Sequence, residues 1–172
     1  MTDPGWSRPS TSGYCLAPSG DPSVASALMN RRRQKKLSRH LFAAIPMGDT
    51  ARARALLRAG ADPARADGEG TTPLYAASVN GEAAIVRLLL TSGAAPDTES
   101  RGIGAEGTPL CAAACWGHTQ VVRELLAHGA DPNLREDHGT GWSPLDWADN
   151  GPHPATAALL TAAGATPRLP TT

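Results

Sequence analysis

The sequence predicts an all-α repeat solenoid of about four helix-turn-helix units, and three observations carry that prediction. One pattern recurs four times without a gap: RHLFAAIPMGDTARARALLRAGAD from Arg39, TPLYAASVNGEAAIVRLLLTSGAA from Thr72, TPLCAAACWGHTQVVRELLAHGAD from Thr108 and SPLDWADNGPHPATAALLTAAGAT from Ser143. A regular period of about 20–50 residues marks a stacked architecture. The blocks are equal in length, whereas the linkers between them have nine, twelve and eleven residues. Fixed blocks with elastic linkers are what packing requires when helices of adjacent units meet in register and the connections lie at the surface. Finally, the 172 residues include four Trp, two Tyr and one Phe, while Leu and Ala recur through the middle. Such a composition favours closely packed helices over a β-sandwich, whose strands prefer aromatic and β-branched residues.

Each block should fold as two antiparallel helices. Thr72, Thr108 and Ser143 each precede a proline, which places a hydroxyl at the N-cap and a fixed φ at the first helical position. In the last block Asp146 stands where it approximates a capping box, and Trp142 and Trp147 occupy the two positions of a hydrophobic staple. Leu41, Leu74, Leu110 and Leu145 share one register with Ala44, Ala77, Ala113 and Ala148 three residues on, so both rows lie on one inward face. The first helix should end near Gly48, Gly81 and Gly117, and the second should begin at Asp49 or Glu82, whose charge suits the positive end of the helix dipole. Ile85, Val86, Leu89 and Leu90, like Val121, Val122, Leu125 and Leu126, form the apolar stripe of the second helix. Gly60, Gly93, Gly129 and Gly164 suit the left-handed closing position.

The chain therefore divides into a Pro/Ser/Gly-rich tail over 1–28, expected to be disordered, a basic lead-in over 29–38, repeats at 39–71, 72–107, 108–142 and 143–166, and a short tail over 167–172. The composition changes abruptly at Met29, which marks it as an alternative start. The outer blocks read as caps: Arg52, Arg54 and Arg58 polarise the second helix of the first block, and Thr156 and Thr161 replace apolar residues in the last. On that reading the array is complete.

Sixteen basic and sixteen acidic residues leave a formal net charge of zero. No apolar run approaches the roughly 20 residues of a membrane helix, and the N-terminus lacks a secretory pattern. A cytoplasmic monomer without a cofactor is expected. Cys111 and Cys115 are four residues apart on a helix, where the Cβ separation of about 5–6 Å exceeds disulfide geometry, so reduced thiols are expected.

The blocks closely resemble ankyrin repeats. TTPLYAASVNG with VRLLLTSGA, and GTPLCAAACWGH with VVRELLAHGADPN, match that motif almost position for position, and the likeness covers residues 39–166. The resemblance, to a small bacterial-type ankyrin repeat protein, implies a curved stack whose linkers form β-hairpin-like fingers. It also implies a concave surface that binds a partner protein, and no catalysis. Carried over by position, that surface uses Met47, then Glu69 and Thr71 with Val79 and Asn80, Ile103 and Glu106 with Cys115 and Trp116, and Thr140 and Trp142 with Asn150. Trp116 is the leading anchor, because a large aromatic beside a Gly turn suits an interface hot spot; packing against the neighbouring finger is the competing reading. Trp142 is placed first in the structural staple. The long second linker, PDTESRGIGAEG, reads either as a recognition finger or as a tolerated insertion. The family's usual His after Thr-Pro-Leu is replaced by Tyr75, Cys111 and Asp146, and Pro46 interrupts the first block.

Two other functions find partial support in the sequence. Cys111, Cys115 and His118 suggest a zinc-dependent or thiol-based regulator, but Gly117 breaks the helix before His118 and no fourth ligand is evident, so no metal site is assigned. The basic run Arg31, Arg32, Arg33, Lys35, Lys36 and Arg39 could attract an anionic partner. Neutral net charge and the lack of interleaved aromatics argue against nucleic acid. No phosphate-cradling loop, nucleophile elbow or His-Glu metal motif is present, and the chain is not expected to be an enzyme.

Overall fold

A computed structural model of the chain describes residues 22–102 and 105–167. Ile103, the tail before Pro22 and the residues after Pro167 lie outside them. Nine-residue and seven-residue helices alternate along the array as the sequence pattern requires. The first helices are the end of α1 (Pro22–Ala44), α3 (Pro73–Val79), α5 (Pro109–Cys115) and α8 (Pro144–Asn150), and the second helices are α2 (Thr50–Arg58), α4 (Ala83–Thr91), α6 (Thr119–Ala127) and α9 (Pro154–Ala162). Each pair packs against itself and each row packs laterally, so that α5 touches α3 and α8 while α6 touches α4 and α9.

The caps form as the sequence dictates. The hydroxyls of Thr72, Thr108 and Ser143 accept from the backbone N–H of Tyr75, Cys111 and Asp146. Asp146 Oδ2 in turn accepts from the Ser143 N–H at 3.0 Å, completing a capping box, and the Trp142 and Trp147 rings pack with centroids 4.7 Å apart. Asp49 caps α2 through the Arg52 N–H. Glu82 stands at the N-cap of α4 without a side-chain cap bond. The four Leu and four Ala of the first-helix rows are buried, together with Ile85, Val86, Leu89, Val121, Val122 and Leu125. They form one continuous core. Each fully buried Leu contributes roughly 1.5–3 kcal/mol relative to exposure. Gly60, Gly93, Gly129 and Gly164 all have positive φ with open space around the missing Cβ, which is the left-handed helix closure.

Three expectations need correction. Helix α1 begins at Pro22, so the stretch expected to be unstructured up to residue 28 is helical from that proline, and the boundary at Met29 falls inside a helix. The basic lead-in is thus part of α1, seated on the end of α2 by Arg33, which donates to the Ala59 carbonyl (3.0 Å), and Gln34, which donates to that of Gly60 (2.7 Å). Those carbonyls belong to a helix C-terminus and need donors from outside it. Thr156 is not part of a polar outer face: it is 1% exposed, its hydroxyl 3.2 Å from that of Thr119 in the preceding repeat, while Thr161 is exposed as expected. Lastly, the linkers are not alike. The second forms an antiparallel hairpin, β1 (Ser100–Gly102) with β2 (Ala105–Gly107), in the register Ser100 opposite Gly107. The third instead makes a single helical turn, α7 (Glu136–Gly139), with Asp137 at positive φ.

Candidate partner-binding surface

The ends of the first helices are held from the following repeat. His118 Nε2 donates across to the Val79 carbonyl at 2.9 Å, and His153 Nε2 to the Cys115 carbonyl at 3.0 Å. Both rings lie against glycines: a Cβ on Gly81 would come 2.8 Å from His118, and one on Gly117 would come 2.5 Å from His153. Glu82 sits in the same way over Gly48. Adjacent loops are tied too, since Asp97 accepts from the Asp131 N–H and Asn133 both donates to the Gly164 carbonyl and accepts from Thr166. The exposed Arg87 and the half-buried Glu124 bridge the middle repeats as an ion pair.

This scaffold presents Met47, Asn80, Trp116 and Asn150 as exposed side chains at successive first-helix ends, with Val79 and Cys115 half-buried beside them. Among the described residues the exposed large hydrophobics are Met47 (77% exposed), Trp116 (61%) and Trp142 (36%). All three were singled out in the sequence. Trp116 thus lies mostly in solvent, and Trp142 both staples α8 and reaches solvent. In the fingers, Glu69, Glu106 and Thr140 are exposed. Thr71 is half-buried, and its backbone pairs with Asp67 while its hydroxyl lies against Gly102, so it joins the first finger to the second. Arg101 extends that joint by donating its N–H to the Gly70 carbonyl.

Sequence reasoning missed Glu136. Its carboxylate accepts from the Trp147 indole N–H at 2.8 Å, faces the Cys111 thiol and occupies the space that a Cβ on Gly107 would need. A half-buried indole N–H requires an acceptor, so Trp147 was the available signal. Burial, reinforced by Asp137 and Glu99, pushes the Glu136 carboxyl up, and the bonds from Trp147 and Cys111 oppose this. Tyr75 is raised to about 12, chiefly by burial and then by Glu136. The Cys111 thiol is likewise raised, first by burial and then by Glu136, and rests near the carbonyls of Leu134 and Trp142. His118, turned toward Val79, does not join it. Among the described residues no group of three or more His, Cys, Asp or Glu is placed to hold a metal ion, and no helix is long and apolar enough to cross a membrane.

Paired helices in two packed rows, tied by loops and presenting variable helix ends, define a helical repeat module. The family described as "Ankyrin repeats (3 copies)" matches residues 14–101, and that described as "Ankyrin repeat" matches residues 107–137. The chain belongs to the ankyrin repeat family, whose members are generally non-catalytic modules of protein interaction. It is similar to the human protein described as ankyrin repeat domain-containing protein 39, with 35% identity over 93 residues, covering 54% of this chain and 49% of that protein. The match thus spans about half the length of that relative.

Proposed function

We propose that this chain binds a partner protein across the surface made by its fingers and first-helix ends, with Trp116 as the central anchor and no chemical step of its own. The observation that carries this reading is the placement of Met47, Trp116 and Trp142, exposed apolar side chains on an otherwise ordinary surface. Tryptophan is among the residues that dominate interface energies, which favours Trp116 as the anchor. Glu69, Glu106, Thr140 and Asn150 supply a polar rim around them. The reading includes a reducing, cytoplasmic setting, supported by the unpaired thiols of Cys111 and Cys115, and a monomeric state.

The test is affinity capture from the native host, followed by titration of the captured partner against wild type, Trp116→Ala and Glu69→Ala. A hot-spot residue costs at least about 2 kcal/mol, close to a thirtyfold loss of affinity, and that is the expected result for Trp116→Ala. Melting temperature should not change, because the Trp116 side chain lies mostly in solvent. Equal binding by wild type and both variants would show that the partner sits elsewhere on the stack.

A further inference from the structure

The face of α1 that does not pack on the stack carries Arg31, Arg32, Lys35, Lys36 and Arg39, and these line one open groove of about 970 Å³ whose other wall is the first finger, including Arg65. The half-buried Phe42 also lines it, and Asp67 is the carboxylate among its lining residues. The orientation is fixed from the opposite side. Arg33 and Gln34 are bonded to the carbonyls that end α2, and Leu41, Ala44 and Ile45 are buried. Among the described residues the ion pairs are Arg87 with Glu124 and Arg135 with Asp146, and neither involves a cation of the groove.

This arrangement is costly for a helix that merely covers the first repeat. Arg31 and Lys35, Lys35 and Arg39, and Arg32 and Lys36 are like charges four residues apart, a spacing that destabilises a helix. Carboxylates bound in the groove would offset the repulsion, and the guanidinium groups could each hold one in a bidentate fork. We propose that the groove, which meets the helix-end surface at the first finger, is a second docking site for an acidic extended peptide segment of a partner protein.

The dimensions and the surrounding charge select a peptide. From Arg31 to Phe42 the helix advances about 16 Å, which about five residues of extended chain would span. Phe42 and the aliphatic stems of the lysines and arginines give an apolar side chain in the segment something to cover. A continuous polyanion would fare worse, because the exposed Glu69 and Glu106 beyond the groove repel a phosphate backbone that continued along the fingers, whereas a segment of about five residues ends before them. The formal net charge of zero adds no long-range attraction.

The experiment is a fluorescence-anisotropy titration of the full chain with a fluorescein-labelled peptide of Glu residues flanking one Leu. A single-stranded oligothymidylate of equal charge and vesicles of phosphatidylcholine with phosphatidylglycerol are run in parallel. Lys35→Glu with Arg39→Glu tests the helix wall, Arg65→Glu tests the finger wall, and Arg123→Glu, an exposed site on α6, is the control; melting curves check that each variant folds. Peptide affinity should fall at least about tenfold in both groove variants and less than about twofold in the control, with oligonucleotide and vesicles bound about tenfold more weakly than peptide by wild type. Peptide binding that is absent, that survives Arg65→Glu, or that is weaker than binding of the oligonucleotide or vesicles would overturn the proposal. The result is independent of Trp116, so failure here leaves the helix-end surface untouched.

Discussion

The glycines at the two kinds of helix end offer a controlled test of how the repeats are joined. Gly129 and Gly117 both have positive φ, +86° and +68°, but a Cβ at Gly129 would meet nothing within 4 Å while one at Gly117 would lie 2.5 Å from His153 Nδ1. Gly129→Ala should therefore cost only the left-handed backbone strain of an L-residue, about 1–2 kcal/mol. Gly117→Ala carries the same strain and also displaces the His153 ring from the Cys115 carbonyl, a hydrogen bond with a net value of about 1 kcal/mol. Its total should reach about 2–3 kcal/mol. The decisive measurement is a double-mutant cycle by urea unfolding. With His153→Ala in the background there is no ring to displace, so the double variant should be hardly less stable than Gly117→Ala alone, giving a coupling of about 1 kcal/mol. A Gly117→Ala variant no worse than Gly129→Ala, or strictly additive costs in the cycle, would refute the view that the histidine holds the helix end from the next repeat.

Other consequences follow from the core and from Glu136. Leu125→Ala removes a fully buried side chain from α6 and should cost about 2–5 kcal/mol, seen calorimetrically as a melting temperature lower by about 10 °C. Glu136 has its carboxyl raised, chiefly by burial, so the folded state holds the proton more tightly than the unfolded one. Stability should then decline as pH rises from the ordinary carboxylate range through the raised value, and Glu136→Gln should flatten that decline in denaturation curves taken across pH. A variant whose pH dependence matches wild type would remove Glu136 as its source. In thiol titration with an aromatic disulfide, the buried Cys111, whose thiol burial and Glu136 push upward, should react only on unfolding, and the half-buried Cys115 before it; rapid reaction of Cys111 in the native chain would show that α5 is not closed over it.

What the sequence reveals about this fold depends on how far away the deciding atoms are. The leucine and alanine rows, the Thr-Pro and Ser-Pro caps and the closing glycines were legible because each is decided within one turn or one helix pair, where period and cap chemistry are strong signals. Thr156 was misread because its burial depends on Thr119, a repeat away in sequence. The third finger makes a helical turn where a hairpin is expected, and its Glu136 is bonded to the Trp147 indole of the next repeat, a partner beyond the reach of the local pattern. The helix-end residues follow from register alone, whereas how far each is exposed, 61% for Trp116, depends on the neighbouring repeats. The groove beside α1 was only half legible: the basic run was plain, but Arg65 and Phe42 join it only once the first finger folds against the helix.

The histidine ties also bear on why the helix ends suit recognition. A helix C-terminus leaves carbonyls that need donors, and here those of Val79 and Cys115 obtain them from His118 and His153 of the following repeat. The backbone at these positions is thus fixed without using its own side chains. Asn80 adds a bond within its own helix, donating its amide to the Ala76 carbonyl, whereas the Trp116 side chain lies largely in solvent. Substitution at such a site changes what the surface presents while the packing beneath it, set by Leu110, Ala113 and Val122, keeps its geometry. Rigid support with little demand on the side chain is what a binding position requires, because ordering a mobile group on association costs affinity. The same reasoning separates Thr71 from Glu69. The first is half-buried and bonded into the joint between fingers, so that replacing it disturbs the scaffold; the second is exposed, so its replacement tests recognition alone.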